Sequence, residues 1–352
     1  MNQKPSQLKY RIPAEWEPHK ATWLAFPHNK KDWIGKFIPI RWVYAEIIKR
    51  ISVSEKTRVM VESENHERKA KVILKSNGVN LDNVEFYQLK TDRGWLRDSG
   101  PFFVRNKKNI ACVNFKFNGW KKYANFKEDE NIPRFIASQF NLRLFIPKLN
   151  DKQVILEGGS IDVNGKGSLI TTEECLINDK VQVRNPGFTK KDYKKIFKHY
   201  LGIKNVLWLG KGIAGDDTHG HVDDLCRFVN EKTVVLAQEK NPSDANYNAL
   251  NENKERIQSF TLENGSKLEV IYLPMPEPLF FKGQRLPAGY ANFYISNSVV
   301  LVPTFNDPND RVALGILSEI FNDRSVIGIH AVDLVWGLGT IHCLTHEQPA
   351  IK

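Results

Sequence analysis

The sequence predicts an α/β protein in which five similar units form one closed, propeller-like domain over residues 1–352. Four segments share one plan, which is a polar cluster, an apolar strand, a tight turn and a second apolar strand. Their turns lie at Asn106, Asn164, Asn230 and Asn297. Amphipathic helices and further short strands fill the intervals. A unit of roughly 60 to 67 residues therefore repeats along the chain and fits about five times into its length.

The predicted hairpins are RDSGPFFVRNKKNIACV, EGGSIDVNGKGSLITT, HGHVDDLCRFVNEKTVVLA and PAGYANFYISNSVVLVPTF. Asn, Gly and Ser occupy their bends, because these residues tolerate a positive φ or bond their own backbone. A fifth hairpin is expected to pair EPHKATWLAF, near the start of the chain, with IHCLT near its end. Joining both ends in one unit would leave few sheet edges open. Two separate α/β domains are the alternative architecture.

The helix predicted over residues 189–201 illustrates the segments between hairpins. Thr189 and Asp192 have the spacing of a capping box at its start. Lysines occupy one side and apolar residues the other, as in a surface helix packed on a core. The strand NVLWL follows at 205–209, and the same order recurs where NDRVALGILSEIF precedes SVIGI at 325–329.

Composition excludes several classes of protein. The chain is 41% hydrophobic and 26% charged, which is typical of a globular protein and not of a disordered one. It shows no CxxC pair, signal peptide or membrane-spanning run, which predicts a cytoplasmic protein with no membrane partner. The net charge of +11 leaves a polyanion binder as a non-enzymatic alternative, but no RNA-binding motif accompanies it and no nucleic-acid partner is expected. A homo-oligomer is compatible with this composition.

Radial repetition has a consequence for chemistry. Each polar cluster precedes the first strand of its hairpin, so pseudo-symmetry would gather the clusters at one axial mouth. The chemically active groups of these clusters are Asp98, Glu157, His221, Asp223 and Cys343. The sequence therefore predicts one site assembled from distant parts of the chain.

Cys343 is the candidate nucleophile. It follows the glycine-rich stretch 337–339, which lets a backbone approach a ligand closely. The other cysteines, Cys112, Cys175 and Cys226, lie in or beside apolar, strand-like sequence and are expected to be core residues. A thiol becomes a useful nucleophile as the thiolate, which requires nearby positive charge. A cationic substrate could supply that charge.

The segment GIAGDDTHGHVDDLCRF carries a histidine pair. If residues 219–225 are extended, His219, His221 and Asp223 share one face. His221 beside Asp223 suits acid–base catalysis, whereas the three residues together suit a metal ion. A metal-dependent hydrolase is therefore the alternative enzyme, and a surface histidine pair in a turn is the structural alternative.

Two further acids are candidates for binding a planar cation. Asp98 follows Trp95 and precedes a Ser-Gly-Pro bend, while Glu157 holds the equivalent place before two glycines. A carboxylate can pair bidentately with a guanidinium, although either acid could instead serve a turn. Trp95 and Trp120 could be apolar walls, cation–π partners or core residues. One thiol, one histidine and three carboxylates suit a substrate with a delocalised positive charge, and a guanidinium fits.

The ordered motifs PAEWEPHKATWLAFPHN, WLRDSGP, FNGW, EGGS, GDDTHGHVDD, YANFYISN, VPTFNDPND and IHCLTHEQP resemble those of the agmatine deiminase family. The resemblance covers nearly the whole chain. This family belongs to the guanidine-modifying, pentein-like proteins with a five-bladed α/β propeller, which include the bacterial peptidylarginine deiminases. The resemblance implies hydrolysis of agmatine to N-carbamoylputrescine and ammonia, with no metal or other cofactor.

The resemblance also implies roles for the site residues. Cys343 would attack the guanidinium carbon and form a covalent amidino-cysteine. His221 would protonate the departing ammonia and then activate water. Asp98 and Asp223 would clamp the guanidinium nitrogens, while Glu157 would orient His221.

Recognition beyond the guanidinium is less determined by the resemblance. Asp217 would meet a distal ammonium of the substrate. Many family members have GGGN before the sequence IHC, where residues 337–340 of this chain read GLGT, and many have His at the position of Asp162. Both departures could change what is bound beyond the guanidinium, so arginine or peptidyl-arginine is the alternative substrate.

Overall fold

The computed structural model describes residues 3–351, so residues 1, 2 and 352 of the predicted domain lie outside the described part. The strands are β1 (His19–Ala25), β2 (Lys56–Val61), β3 (Val84–Gln88), β4 (Phe102–Arg105), β5 (Ile110–Val113), β6 (Arg143–Phe145), β7 (Lys148–Leu149), β8 (Lys152–Gln153), β9 (Ile161–Val163), β10 (Ser168–Thr172), β11 (Asn205–Leu209), β12 (Cys226–Phe228), β13 (Thr233–Gln238), β14 (Glu269–Pro274), β15 (Phe280–Phe281), β16 (Gln284–Arg285), β17 (Tyr294–Ile295), β18 (Val299–Thr304), β19 (Ser325–His330) and β20 (His346–Pro349). The α-helices are α1 (Phe37–Ile51), α2 (Glu64–Ser76), α3 (Leu96–Ser99), α4 (Ile132–Gln139), α5 (Glu173–Leu176), α6 (Lys190–Leu201), α7 (Tyr247–Ile257), α8 (Asn309–Ile320) and α9 (Ile341–Leu344). Short 3-10 helices lie at Pro5–Leu8, Leu81–Asn83, Gly119–Lys121, Asp129–Asn131, Gly158–Ser160, Val222–Asp224 and Leu334–Gly337.

Five of the sheets follow one plan. In each, an antiparallel pair is extended by a strand that runs parallel to the second member of the pair. The orders are β4-β5-β6, β9-β10-β11, β12-β13-β14, β17-β18-β19 and β20-β1-β2-β3. Two small hairpins, β7-β8 and β15-β16, lie outside this plan. The architecture is therefore α/β with the predicted repeated unit.

The four predicted hairpins are confirmed by the pairs β4–β5, β9–β10, β12–β13 and β17–β18. Asparagine side chains build three of the bends. The Oδ1 atom of Asn106 accepts from the Asn109 amide at 2.8 Å, and Oδ1 of Asn164 accepts from the Ser168 amide at 2.9 Å. Asn230 makes the same kind of bond in the third bend. A side chain that replaces a backbone acceptor explains why asparagine marks these turns.

The fifth pairing joins β20 to β1 in antiparallel register, with Trp23 opposite His346. The expectation that IHCLT itself forms this strand is wrong by a few residues, because Ile341–Leu344 is the helical turn α9. The Thr345 hydroxyl donates to the Ile341 carbonyl at 2.9 Å and closes that turn. The segment at the end of the chain therefore supplies both a helical turn and the partner of the first strand.

The helix predicted over 189–201 is confirmed as α6. Thr189 and Asp192 form its capping box, and Gly202 ends it with a φ of 75°. That left-handed conformation suits glycine, which has no Cβ to clash. The apolar side of α6 is buried, whereas most of its lysines lie at the surface. Its basic face is thus the outer side of an ordinary packed helix.

The core lies between the sheets and the helices that pack on them. Its largest fully buried side chains include Trp23, Trp33, Tyr44 and Phe293. Burying side chains of this size is worth roughly 1.5–3 kcal/mol each. Across residues 3–351, helices with the length and apolar character needed to traverse a bilayer are absent.

Candidate active site

The structure brings the predicted catalytic groups together ahead of the first strands of four sheets. Asp98 lies in α3 before β4, and Glu157 precedes the 3-10 turn that leads into β9. His221 and Asp223 come before β12, while Cys343 lies in α9 before β20. Ring nitrogens of His221 lie within 4.0 Å of carboxylate oxygens from all three acids. The repeat therefore gathers these groups as predicted.

The thiol of Cys343 is buried and held by an amide. The Asn292 Nδ2 group donates to Cys343 Sγ at 3.1 Å, and the thiol faces Asp223 Oδ2 at 3.7 Å. Thr340 in turn donates to Asn292 Oδ1 at 2.7 Å. Burial, followed by the charges of Asp223, Asp224 and Asp98, raises the pKa of the Cys343 thiol well above its ordinary value. These surroundings therefore favour the thiol over the thiolate unless a cation is bound.

Glycines before Cys343 permit close packing against an aromatic wall. A Cβ on Gly339 would lie 2.8 Å from the ring of Trp95 and 3.1 Å from the Cβ of Cys343. A Cβ on Gly337 would lie 2.6 Å from the indole nitrogen of Trp33. Real Cβ atoms do not approach that closely, so both positions require glycine. The departure from the family pattern at Leu338 leaves these two contacts intact, and Leu338 itself has a φ of 67°.

Asp98 is fixed from two sides. The indole N–H of Trp120 donates to one carboxylate oxygen at 2.8 Å, and the Gly159 amide donates to the other at 2.9 Å. Burial raises the pKa of Asp98, and the nearby carboxylates of Asp223 and Glu157 add to the rise while the charge of His221 opposes it. Both oxygens keep a free lone pair, so the acid can still accept from a ligand.

His221 and Glu157 form a buried pair supported by an arginine. Their closest atoms, Nε2 and Oε2, are 3.8 Å apart, and Arg184 Nε lies 3.1 Å from Glu157 Oε1. Although burial raises the pKa of Glu157, the charge of Arg184 leads the opposing effects and lowers it to about 2. Although burial lowers the pKa of His221, the charge of Asp98 leads the effects that raise it well above its ordinary value. An ionised acid thus stands beside a protonated imidazole, as a general acid requires.

Asp223 is held by a residue that the sequence analysis did not single out. His342 contacts Asp223 Oδ2 through Nδ1 at 2.6 Å and Glu15 Oε2 through Nε2 at 2.8 Å. Although burial raises the pKa of Asp223, the hydrogen bond from His342 leads the effects that lower it. His342 therefore fixes the orientation of the acid nearest the thiol.

A cavity leads from the surface to the thiol. Its lining combines the predicted substrate-binding residues with several others, namely Arg93, Trp95, Asp98, Trp120, Tyr123, Asp217, Thr218, Gly337, Leu338, Gly339 and Cys343. Asp217 lies on this lining, where its oxygens contact Lys122 Nζ and accept from the Tyr123 hydroxyl at 2.6 Å. Trp95 and Trp120 are both almost fully buried, so they are cavity walls and core residues at once. Asp162 lies elsewhere, paired with Arg227.

Residues 219–225 are not extended, so the condition under which His219, His221 and Asp223 would share one face is not met. His219 has a φ of 64°, Gly220 has a φ of 92°, and Val222–Asp224 form a 3-10 turn. This bend directs His219 toward Asn178, whose side-chain amide lies 3.1 Å from the histidine Nε2. Among the described residues, the sets close enough to share an ion are Glu157 with Cys175 and His221, and Asp223 with Asp224 and Cys343. The residue set of the alternative metal-dependent hydrolase, His219, His221 and Asp223, is therefore not assembled as one metal site.

Three more residues of the candidate site were not identified by the sequence analysis, namely Asn292, Arg184 and Tyr123. Asn292 occupies the fourth repeat at the place equivalent to the other site residues, so its position alone could have identified it. Arg184 and Tyr123 carry no such positional signal, because each reaches the site from a loop outside the hairpins. Cys175 is buried as expected, and its sulfur lies within 4.8 Å of a ring nitrogen of His221.

Known proteins resemble this chain over nearly its whole length. The model of the Porphyromonas-type peptidyl-arginine deiminase family matches residues 11–349. An agmatine deiminase of Medicago truncatula is 33% identical over 377 aligned residues, which cover 97% of each chain. The structure of the agmatine deiminase of Enterococcus faecalis matches with a TM-score of 0.91 and 28% identity, covering 100% of this chain and 99% of that one. A cysteine-to-serine variant of the agmatine deiminase of C. jejuni with substrate bound matches with a TM-score of 0.84 and 28% identity, covering 96% of both chains.

These matches agree with the geometry of the site and confirm the resemblance inferred from the motifs. The family match includes every site residue described above, from Asp98 to Cys343. The chain belongs to the family of Porphyromonas-type peptidyl-arginine deiminases.

Proposed function

We propose that the chain hydrolyses agmatine to N-carbamoylputrescine and ammonia, the activity for which its relatives are named. One observation carries the proposal. The Cys343 thiol is surrounded by acids that hold its pKa high, in a cavity that also contains Asp98 and Asp217. A neutral substrate would leave that thiol protonated, whereas a guanidinium supplies the missing positive charge and presents an electrophilic carbon.

The first half-reaction forms the covalent intermediate. Asp98 and Asp223 accept hydrogen bonds from the guanidinium nitrogens, and Cys343 Sγ attacks the central carbon. The bond from carbon to one nitrogen breaks, and that nitrogen leaves as ammonia after protonation by His221. The departing ammonia also takes up the thiol proton, so the products are a cationic amidino-cysteine, an ammonium ion and a neutral His221.

The second half-reaction releases the product. His221, now able to accept a proton, activates a water that attacks the same carbon. The C–S bond breaks, one water proton passes to Cys343 and the other stays on His221, and the ureido group of N-carbamoylputrescine forms. Glu157 holds the imidazole in line throughout, because Arg184 keeps that acid ionised.

The rest of the cavity suits the remainder of agmatine. Trp95 and Trp120 flank the route to the thiol and can contact the four methylenes of the substrate. Asp217 lies on the same lining and would pair with the distal ammonium. Arginine or peptidyl-arginine is the second candidate, because Arg93 and Lys122 also lie at this end of the cavity and could bind a carboxylate.

We further propose that the five sheets close into a five-bladed propeller formed by one catalytic domain over residues 1–352. The shared sheet plan supports this, as does the pairing of β20 with β1, which puts the first and last strands in one unit. A cytoplasmic location fits four free cysteines. We propose the cationic substrate as the binding partner, with neither nucleic acid nor membrane involved, and assembly as a homo-oligomer.

The test is an assay of ureido product from agmatine, arginine and an arginyl peptide, with and without prior chelation. We expect agmatine to be the best substrate, Cys343→Ser to abolish turnover and chelation to have no effect. Preference for the peptide would change only the substrate assignment. Turnover of none of the three guanidines, or loss of activity on chelation alone, would overturn the proposed chemistry.

A further inference from the structure

We propose that Lys122 is a specificity-determining residue, whose ammonium occupies Asp217 in the free enzyme and is exchanged for the ammonium of the substrate. The inference rests on the proposed function, in which Asp217 pairs with the distal end of agmatine. It assigns to the chain an internal cation that every substrate must displace in order to reach that acid.

Both oxygens of Asp217 are engaged without a ligand. Lys122 Nζ pairs with Oδ1, and the Tyr123 hydroxyl donates to Oδ2 at 2.6 Å. The Asp217 side chain is only 10% exposed, whereas that of Lys122 is 43% exposed. Because Lys122 already neutralises this nearly buried acid, a substrate ammonium pairs with it most favourably by taking the place of Lys122, which is the group with solvent to move into.

Tyr123 is held more firmly than Lys122. The Arg93 guanidinium carbon lies 3.8 Å from the centre of the Tyr123 ring, and Arg93 is itself paired with Asp32 at 3.2 Å. A cation stacked on a ring in this way stabilises the ring where it is. The phenol therefore stays on Asp217 while the flexible lysine side chain exchanges.

The backbone before Lys122 is fixed in an unusual conformation. Gly119, Trp120 and Lys121 have φ values of 64°, 56° and 55°, and the Asn118 side chain accepts from the Lys121 amide at 3.0 Å. Left-handed residues other than glycine persist only where their surroundings hold them. The indole N–H of Trp120 donates a hydrogen bond to Asp98. The same segment therefore positions Asp98, which is proposed to bind the guanidinium, and places Lys122 beside Asp217.

The exchange distinguishes guanidine substrates by the charge of the group at the opposite end from the guanidinium. A primary ammonium replaces Lys122 with an equal charge, so Asp217 stays neutralised. A substrate whose distal group is uncharged cannot replace Lys122, so the ion pair between Lys122 and Asp217 stays intact. A substrate with a carboxylate at that end would be repelled by Asp217 if Lys122 moved away. It would bind more tightly only if Lys122 stayed in place and paired with the carboxylate.

The experiment compares agmatine with 1-butylguanidine, which has the same guanidinium and chain length but no ammonium. Lys122→Met should lower the KM for agmatine about two- to fivefold, the size expected when one partly exposed ion pair no longer competes. The KM for butylguanidine and the kcat for both substrates should stay unchanged. Lys121→Met is the matched control, because Lys121 is an exposed lysine of the same segment and should alter neither KM.

The kinetics of Lys122→Met and of the wild-type enzyme test the exchange directly. An unchanged or increased KM for agmatine in Lys122→Met would overturn the exchange. An increased KM for arginine in that variant, with agmatine unaffected, would instead make Lys122 a carboxylate receptor and would also overturn it. Wild-type enzyme that turns over butylguanidine but not agmatine would overturn both this inference and the assigned substrate, whereas normal wild-type kinetics with an unresponsive variant would overturn the inference alone.

Discussion

The sulfur of Cys343 lies 3.7 Å from Oδ2 of Asp223, the acid that is proposed to clamp the substrate. A carboxylate at this distance opposes formation of a thiolate, because two negative charges would be neighbours in a buried site. The same carboxylate attracts a guanidinium. We therefore expect binding of the guanidinium and activation of the nucleophile to be coupled, because the empty site disfavours a thiolate.

Replacing Cys343 with serine should remove turnover without unfolding the chain. The hydroxyl is a far weaker nucleophile at neutral pH, so kcat for agmatine should fall by at least about a thousandfold. Steady-state assays and circular dichroism would measure the two properties. Cys112→Ala is the control, since Cys112 is fully buried in β5 away from the site, and that variant should keep its kcat. Substantial activity in Cys343→Ser would exclude the covalent route.

Asp98→Asn should abolish turnover and yet make the thiol more reactive. Removing one of the negative charges near Cys343 lowers the pKa of the thiol, so more thiolate exists at a fixed pH. Alkylation of Cys343 by iodoacetamide at pH 8, followed by mass spectrometry without substrate, should therefore be faster than in the wild type. Asp82→Asn, at an exposed acid, should change neither property. Equal alkylation rates would show that the acids do not set the reactivity of the sulfur, and an unfolded variant would make Asp98 structural.

Glu157→Gln should move the alkaline limb of the pH–rate profile to lower pH. His221 has a raised pKa, so it stays protonated through neutral pH and loses its proton, and its role as an acid, as pH rises through that value. Glu157 contributes to the rise, and removing its charge lowers the pKa of His221. The measurement is kcat/KM for agmatine against pH. Glu64→Gln, on the exposed side of α2, should leave the profile in place, and an unmoved limb in Glu157→Gln would argue against His221 as the acid.

Arg227→Met should destabilise the fold. Arg227 is 1% exposed and pairs with Glu15 at 2.9 Å and with Asp162, so the variant leaves Asp162 without its cation and Glu15 with Arg97 as its remaining arginine. Breaking a buried ion pair in this way costs about 3–5 kcal/mol of unfolding free energy. Chemical denaturation monitored by circular dichroism would measure it. Lys232→Met breaks an exposed pair with Glu269 and should have little effect, and an equal effect of both variants would contradict the expectation.

The fold could be predicted wherever local chemistry decides the conformation. Asparagine acceptors define the bends at Asn106, Asn164 and Asn230, and the capping box defines the start of α6. The shared face considered for His219, His221 and Asp223 required an extended chain over 219–225, and alternation of polar residues says nothing about φ. Gly220 turns the chain there, and an added Cβ would come within 2.9 Å of Glu174.

The residues of the candidate site also fall into those that could be predicted from the sequence and those that could not. Asp98, Glu157, His221, Asp223 and Cys343 could be located because each begins a repeated unit. His342 and Arg184 could not, because their importance lies in ion pairs with acids more than 25 residues away. Asp162 shows the limit most clearly: it departs from the family pattern, and only its pairing with the distant Arg227 shows that it belongs to a structural ion cluster and not to the substrate cavity.

The pairing of β20 with β1 also matters for synthesis of the protein. Cys343 emerges from the ribosome after every acid of the site, and the strand that follows it must find β1, one of the first elements made. A nascent chain that stops before β20 therefore carries the acids and the histidine but cannot position the sulfur. We therefore expect a fragment that ends before β20 to lack activity, because β1 then has no partner strand to position the turn that carries Cys343.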